Sequence, residues 1–205
     1  TDVSDVSTYE YDNQGNITAI TDALGQITHF QSFDGNGNPQ QITLPNGVQK
    51  SLTYDYRGDL TSITDLHGSV ALTRDPQGRL ISTTLQDGSV SEFEYDDAGR
   101  LTAIINAKGE RREYSLDAEN NITAIRQLDA TGSLRWKELR TYNELSYLTA
   151  LTDGTGNVSS FTWDRVANLI SETDPAGHTT QNTYDGFNHQ TKETNAIGGV
   201  STYRY

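Results

Sequence analysis

Apolar and polar positions alternate along most of this chain with a spacing of two residues. The pairs Tyr9/Tyr11, Leu52/Tyr54, Phe93/Tyr95, Tyr114/Leu116, Phe161/Trp163 and Tyr203/Tyr205 each enclose one mostly polar residue. A period of two predicts strands with one buried and one wet face. Short β-rich runs accompany them: "NITAIT" (16–21), "DLTSIT" (59–64), "RLTAII" (100–105), "NITAIR" (121–126) and "YLTALT" (147–152).

Turn signals join the strands in a repeating order. "YDNQGN" (11–16), "YDYRGD" (54–59), "YDDAGR" (95–100), "WDRVAN" (163–168) and "YDGFNH" (184–189) belong to one series. Its Asp or Asn falls at positions 12, 34, 55, 75, 96, 117, 143, 164 and 185, spaced by 20 to 22 residues with one interval of 26. The signature residues are Tyr11, Asp12, Gly15, Tyr54, Asp55, Gly58, Tyr95, Asp96, Gly99, Trp163, Asp164, Tyr184 and Asp185. Asp at a turn's first position can accept from amides ahead of it, and Gly supplies positive φ. Later copies put Asn120, Ser146, Ala167 and Asn188 at the Gly place. Asn tolerates that conformation, whereas Ser and Ala fit it poorly. A second series of turns includes "DALG" (22–25), "LPNG" (44–47), "DLHG" (65–68), "NAKG" (106–109) and "DPAG" (174–177).

Each copy therefore predicts about two strands, and nine copies predict roughly 18 in an antiparallel meander. A lone hairpin is marginal in water, so copies must stack on copies across 1–205 as a single array. Such a strip should curve or spiral. In the copy at 116–142 both arms are lengthened by unequal amounts, predicting a longer hairpin with a bulge or a looser turn and with Trp136 near its tip.

Composition narrows the function classes. The chain has 205 residues, no cysteine and a formal net charge of -13. Disulfide and thiolate-metal chemistry are excluded, and an acidic surface with scattered cations repels nucleic acid. No apolar run is long enough for a membrane span, and the opening "TDVSDVSTYEYD" has none of the features of a signal peptide.

The "YDxxGRLTxI" unit with its "DxxGxxxxxxYD" return resembles the YD repeat of Rhs and teneurin-type proteins, shared by the B and C components of Tc toxins. "YDDAGRLTAI" (95–104) and "TDPAGHTTQNTYDGFN" (173–188) carry the resemblance most closely. It implies a hollow β-sheet shell enclosing a C-terminal toxin polypeptide until delivery. It also implies a protein secreted or displayed by bacteria through a dedicated export system, with neighbouring shell repeats as partners. The chain then reads as a piece of a larger shell, whose exposed edges should self-associate. The family's aspartyl self-cleavage motif has only partial counterparts in "RDPQGRL" (74–80) and "TDPAGHT" (173–179), so Asp75 and Asp174 read as turn residues.

Catalytic readings fare poorly. Nine equivalent Asp or Asn positions cannot all be one active site, and Asp97, beside Asp96, sits where other copies carry Asn13, Tyr56 or Pro76. His29, His67, His178 and His189 lack metal-ligand spacing, and the calcium-like "DGNGN" (34–38) lacks the period or loop length of calcium motifs. Neither a Gly-x-Ser-x-Gly elbow nor a phosphate loop is present. The cluster "KGERRE" (108–113) reads as a compensated, solvated face. The expectation is a non-enzymatic chain without cofactor or metal. Its rival is a carbohydrate- or surface-binding module using Trp136 and Trp163, since short aromatic hairpin repeats also build glycan-binding solenoids.

Overall fold

The structure is a computed structural model describing residues 6–205. The opening five residues, part of the stretch read for a signal peptide, lie outside the described residues. Nineteen strands, from Thr8–Tyr11 to Val200–Thr202, are the regular elements of the described chain. The fold is the expected all-β antiparallel hairpin array. Two compact units are distinguished, Thr1–Phe93 and Glu94–Tyr205.

Within the first unit each strand pairs antiparallel with its chain neighbours, and the two faces differ sharply. On one face the register sets Tyr9 opposite Ile20, Phe30 opposite Ile42, Leu52 opposite Ile63 and Ile63 opposite Val70. On the other it sets His29 opposite Thr43, Gln41 opposite Ser51 and Thr53 opposite Ser62. The second unit repeats the meander, with Tyr114 opposite Ile125 and Arg140 opposite Leu151. Among the described residues, Ala19, Leu52, Ala103, Ala124 and Ile125 are the buried apolar ones. Each unit is thus a single layer whose apolar face is half covered by its own neighbours.

Local chemistry explains the turns. Asp96 N–H donates to the Arg100 carbonyl (3.0 Å), and Gly99 N–H donates back to the Asp96 carbonyl (2.9 Å). The Asp96 carboxylate accepts from the Ala98 and Arg100 amides (3.0 and 2.9 Å). The closing residue, Gly99, has φ 79°. Ser146 (φ 62°) and Ala167 (φ 67°) keep the same conformation despite their side chains. Poor propensity is overridden because the flanking strands fix the turn, at about 1–2 kcal/mol per residue. Replacing Ala167 by Gly should therefore stabilise the chain by about 1 kcal/mol, measured by denaturant titration.

Departures from a 21-residue interval have individual causes. The short interval, 55 to 75, contains a tighter reversal, with Asp65 directly opposite Gly68. The "DLHG" turn thus differs from "NAKG", where Asn106 N–H spans to the Glu110 carbonyl (3.0 Å). The interval from 12 to 34 is long because Ser32, at φ 56°, is an added residue within Ile27–Phe33. The long hairpin pairs Ile122–Leu128 with Leu134–Tyr142 and has its bulge at Arg135, between Gln127/Trp136 and Leu128/Leu134.

Bulges are also general, which the sequence reading confined to one hairpin. Tyr54 pairs with Leu60 but Thr53 with Ser62, leaving Thr61 over. Thr18, Thr123, Thr149 and Thr191 occupy the same place in their hairpins. The recurrent Thr of "LTxI" is this extra residue. Its hydroxyl bonds across the pair, as Thr61 to Thr53 (2.9 Å) and Thr149 to Thr141 (3.1 Å).

Candidate interaction surface

The carbonyl of the residue that opens the second strand of a copy is used by the next copy. The Tyr54 hydroxyl donates to the Pro39 carbonyl (2.9 Å), and Tyr142 to Ile122 (3.0 Å). The Trp163 indole N–H donates to Leu148 (2.6 Å), and Tyr184 to Leu169 (3.1 Å). In all four the acceptor is the fifth residue after the preceding copy's Asp or Asn. The signature aromatic is therefore a rung between hairpins, lying on the apolar face. Tyr95 occupies the same place at the end of Val90–Tyr95. Tyr11, on the first strand, is 60% exposed.

A second set of links runs along the turns. Arg100 Nε binds the Asp96 carboxylate (2.7 Å) while its Nη1 donates to the Asp117 carbonyl in the next copy (2.6 Å). Asn121 and Asn168 reach from Asp117 and Asp164 to Ser146 and Asn188 (3.0 and 3.1 Å). The turn residue four places after Asp thus clamps one copy to the next.

Comparison with known proteins identifies the repeat. A model of the RHS repeat matches residues 74–111 and 95–133, and one of the teneurin YD-shell matches 3–66. The chain is an array of Rhs-type YD repeats. It is 27% identical to probable deoxyribonuclease RhsB of Dickeya dadantii, over 63% of this chain and 10% of that protein. It is 28% identical to human teneurin-1, over 56% of this chain and 4% of the relative. Among solved structures, the TcdB2–TccC3–Cdc42 complex aligns with 97% of this chain and 13% of its own, at TM-score 0.64 and 16% identity. A Photorhabdus luminescens Tc holotoxin pore aligns over 97% and 14%, at TM-score 0.54 and 16% identity. The YD-repeat chain spans a tenth or less of these two curated relatives.

The repeated carboxylates of this YD array are spent on turns. Asp12, Asp55, Asp164 and Asp185 each accept the amides two and four residues on. The Arg100 amide and guanidinium hold Asp96 below the usual carboxylate range. The Thr131 hydroxyl and the Ser133 amide lower Asp129 to about 2. Lowered folded-state values stabilise the ionised form. That contribution is complete above the ordinary value of 3.8 and is lost as pH falls through the lowered values. Thermal midpoints should be flat above about pH 5 and fall steeply toward pH 2; an acid-insensitive midpoint would contradict this role.

Other singled-out residues scatter. Trp163 is committed to its rung and packs near Tyr147, with ring centroids 5.8 Å apart. Trp136, 39% exposed, sits at the opposite end of its hairpin, beside Gly154. The YD array does not bring the two indoles into one cage. His178 and His189 bind Asp174 and Asp185 within their own turns (2.9 and 3.1 Å). No grouping of three metal-ligating side chains occurs among the described residues, and no helix there is long and apolar enough to cross a membrane.

The basic cluster divides between the faces, correcting the single wet face expected of it. Arg111 lies on the polar face, forked onto Glu94 (2.6 and 2.6 Å) with its Nε on Glu113 (2.8 Å). Arg112 points to the other face, its guanidinium 5.7 Å from the Tyr114 ring centre. Alternation within one strand makes that split unavoidable.

Proposed function

We propose that this YD-repeat array is a non-catalytic wall segment that encloses and shields a polypeptide cargo, in the manner of the shells it resembles. One observation carries the reading. In the first unit one face carries Tyr9, Ile20, Phe30, Ile42, Leu52, Ile63 and Val70, and among the described residues no element of that unit packs over it. A single-layer sheet of this kind needs an occupant or an enclosure on that side. The family and fold support a shell, and the names of its relatives, a deoxyribonuclease and a Burkholderia cenocepacia double-stranded DNA deaminase toxin 32% identical over 46% of this chain, support a toxin as cargo.

The repeat aspartates and the imidazoles of His178 and His189 are used within turns, which supports a wall. Secretion, or display on the bacterial surface, follows from the same reading. Co-expression of the intact protein with its C-terminal segment, then limited proteolysis, tests it. Protection of that segment until the wall is denatured is expected. Cleavage at the rate of the free segment would overturn the enclosure. Carbohydrate binding is the alternative outcome, read by quenching of Trp136 fluorescence on a glycan panel; commitment of Trp163 to the Leu148 carbonyl weighs against it.

A further inference from the structure

The first unit distributes its charge unevenly between its faces. Its acids among the described residues sit in turns, at a strand end or on the polar face, where Glu10 stands opposite Ala19 and Glu92 opposite Ser82. At the end of its strand, Asp65 turns its carboxylate back onto the His67 amide (2.8 Å). The apolar face instead carries two cations. Lys50 is opposite Ile42 and alternates with Leu52 and Tyr54. Arg74, opposite Leu80, stands where other copies place the aromatic rung.

Neither cation is used by the fold as its neighbours are. Arg57 is paired with Asp55 and Asp59, and Arg79 with Asp75. Lys50 and Arg74 have no carboxylate partner among the described residues. Arg74 donates weakly to the Gly78 carbonyl (3.2 Å), and its Nε is buried without a partner. A tyrosine in its place would reach the Leu60 carbonyl, as Tyr54 reaches Pro39. Among the described residues of a chain of net charge -13, that face thus keeps one strand-end carboxylate, Asp65, against two cations without a carboxylate partner, and gives up a rung for one of them.

We propose that this face of the first unit receives an acidic, apolar-rich polypeptide segment, with Lys50 and Arg74 as its carboxylate anchors. The inference rests on the enclosure reading and names the chemistry of the occupant. Apolar area supplies attachment and the two cations select sign, because charge pairs at a half-desolvated surface discriminate against like charge.

Fluorescence anisotropy of the 205-residue chain with labelled short peptides tests this. The probes share Leu, Ser and Gly positions and differ in carrying Glu, Gln or Lys at the remaining ones. At about 50 mM salt, where screening is weak, the Glu peptide should bind about tenfold more tightly than the Gln peptide, and the Lys peptide least. The preference should shrink at about 500 mM salt. The double variant Lys50→Gln, Arg74→Tyr should reduce it to about twofold while keeping or raising the melting temperature, since it restores a rung. Lys192→Gln, on the polar face, should leave it unchanged. Equal binding of the three probes, or a preference that survives the double variant, would overturn the proposal. No selective binding alongside intact protease protection defeats only the acidic occupant; selective binding without protection defeats only the enclosure.

Discussion

Replacing Trp163 by alanine should cost about 3 kcal/mol, one of the two largest single losses expected in this array. The indole gives up its packing beside Tyr147 and its bond to the Leu148 carbonyl. Complete burial would place the loss toward 4 or 5 kcal/mol; the half-exposed site lowers it to roughly 3. Trp163→Phe separates the two contributions, because it keeps most of the area and strands the carbonyl. Its cost should be about 1 kcal/mol, the usual net value of one hydrogen bond. Tyr184→Phe should cost about the same, and the effect should be local. Amide exchange should quicken in the hairpins on either side of the lost rung and little elsewhere, because stacked repeats couple chiefly to nearest neighbours. Uniform acceleration across the second unit would show that the rungs do not act as separate joints.

The rung separates what the sequence makes legible from what it does not. "YDDAGR" announces its turn because everything the turn needs is within five residues: Asp96 to cap amides, Gly99 for positive φ, Arg100 to hold the carboxylate. The alternation of Leu52 and Tyr54 likewise announces a two-faced strand. The acceptor for Tyr54 is Pro39, 15 residues away, and is in place only because Pro39 pairs with Phe33 across the preceding hairpin. Register is a property of two strands together, so periodicity in one strand leaves it open. A signal for the bulge was nonetheless present in the repeated Thr of "LTxI", which reads as β propensity until the pairing is known.

Ser146 and Ala167 show the opposite kind of gap. Their propensities argue against the turn that they form, and the strands on either side decide the outcome. Arg74 is different again, a charged residue at a place where the repeat supplies an aromatic. Local rules read it as noise. Only the face on which it lies, shared with Lys50 and bearing a single strand-end carboxylate, Asp65, among the described residues, gives it meaning. The candidate anchors therefore depart from the motif or lie outside it, while the turn residues that dominate the motif carry structure.

Ile125 tests how firmly the layer itself is held, and its change to Asp should cost about 4 kcal/mol. At 4% exposure Ile125 is among the most buried side chains of the second unit. Tyr114 stands opposite it on one side and Glu138 on the other. Arg140 binds Glu138 (2.6 Å), so one cation is already committed beside it. A new carboxylate would be desolvated by Tyr114 and would face Glu138 directly across the strand pair, a repulsive placement. Protonation would relieve part of this, so the variant should regain stability as pH falls toward 5, against the trend set by the turn aspartates. Ile125→Val, which removes one methylene, should cost about 1 kcal/mol with no such pH dependence. Denaturant titration of the three proteins at pH 5 and pH 8 separates the two effects. If Ile125→Asp costs no more than the Val variant, the half-covered face is too loosely packed to exclude water, and a wall built from it could not keep a cargo dry.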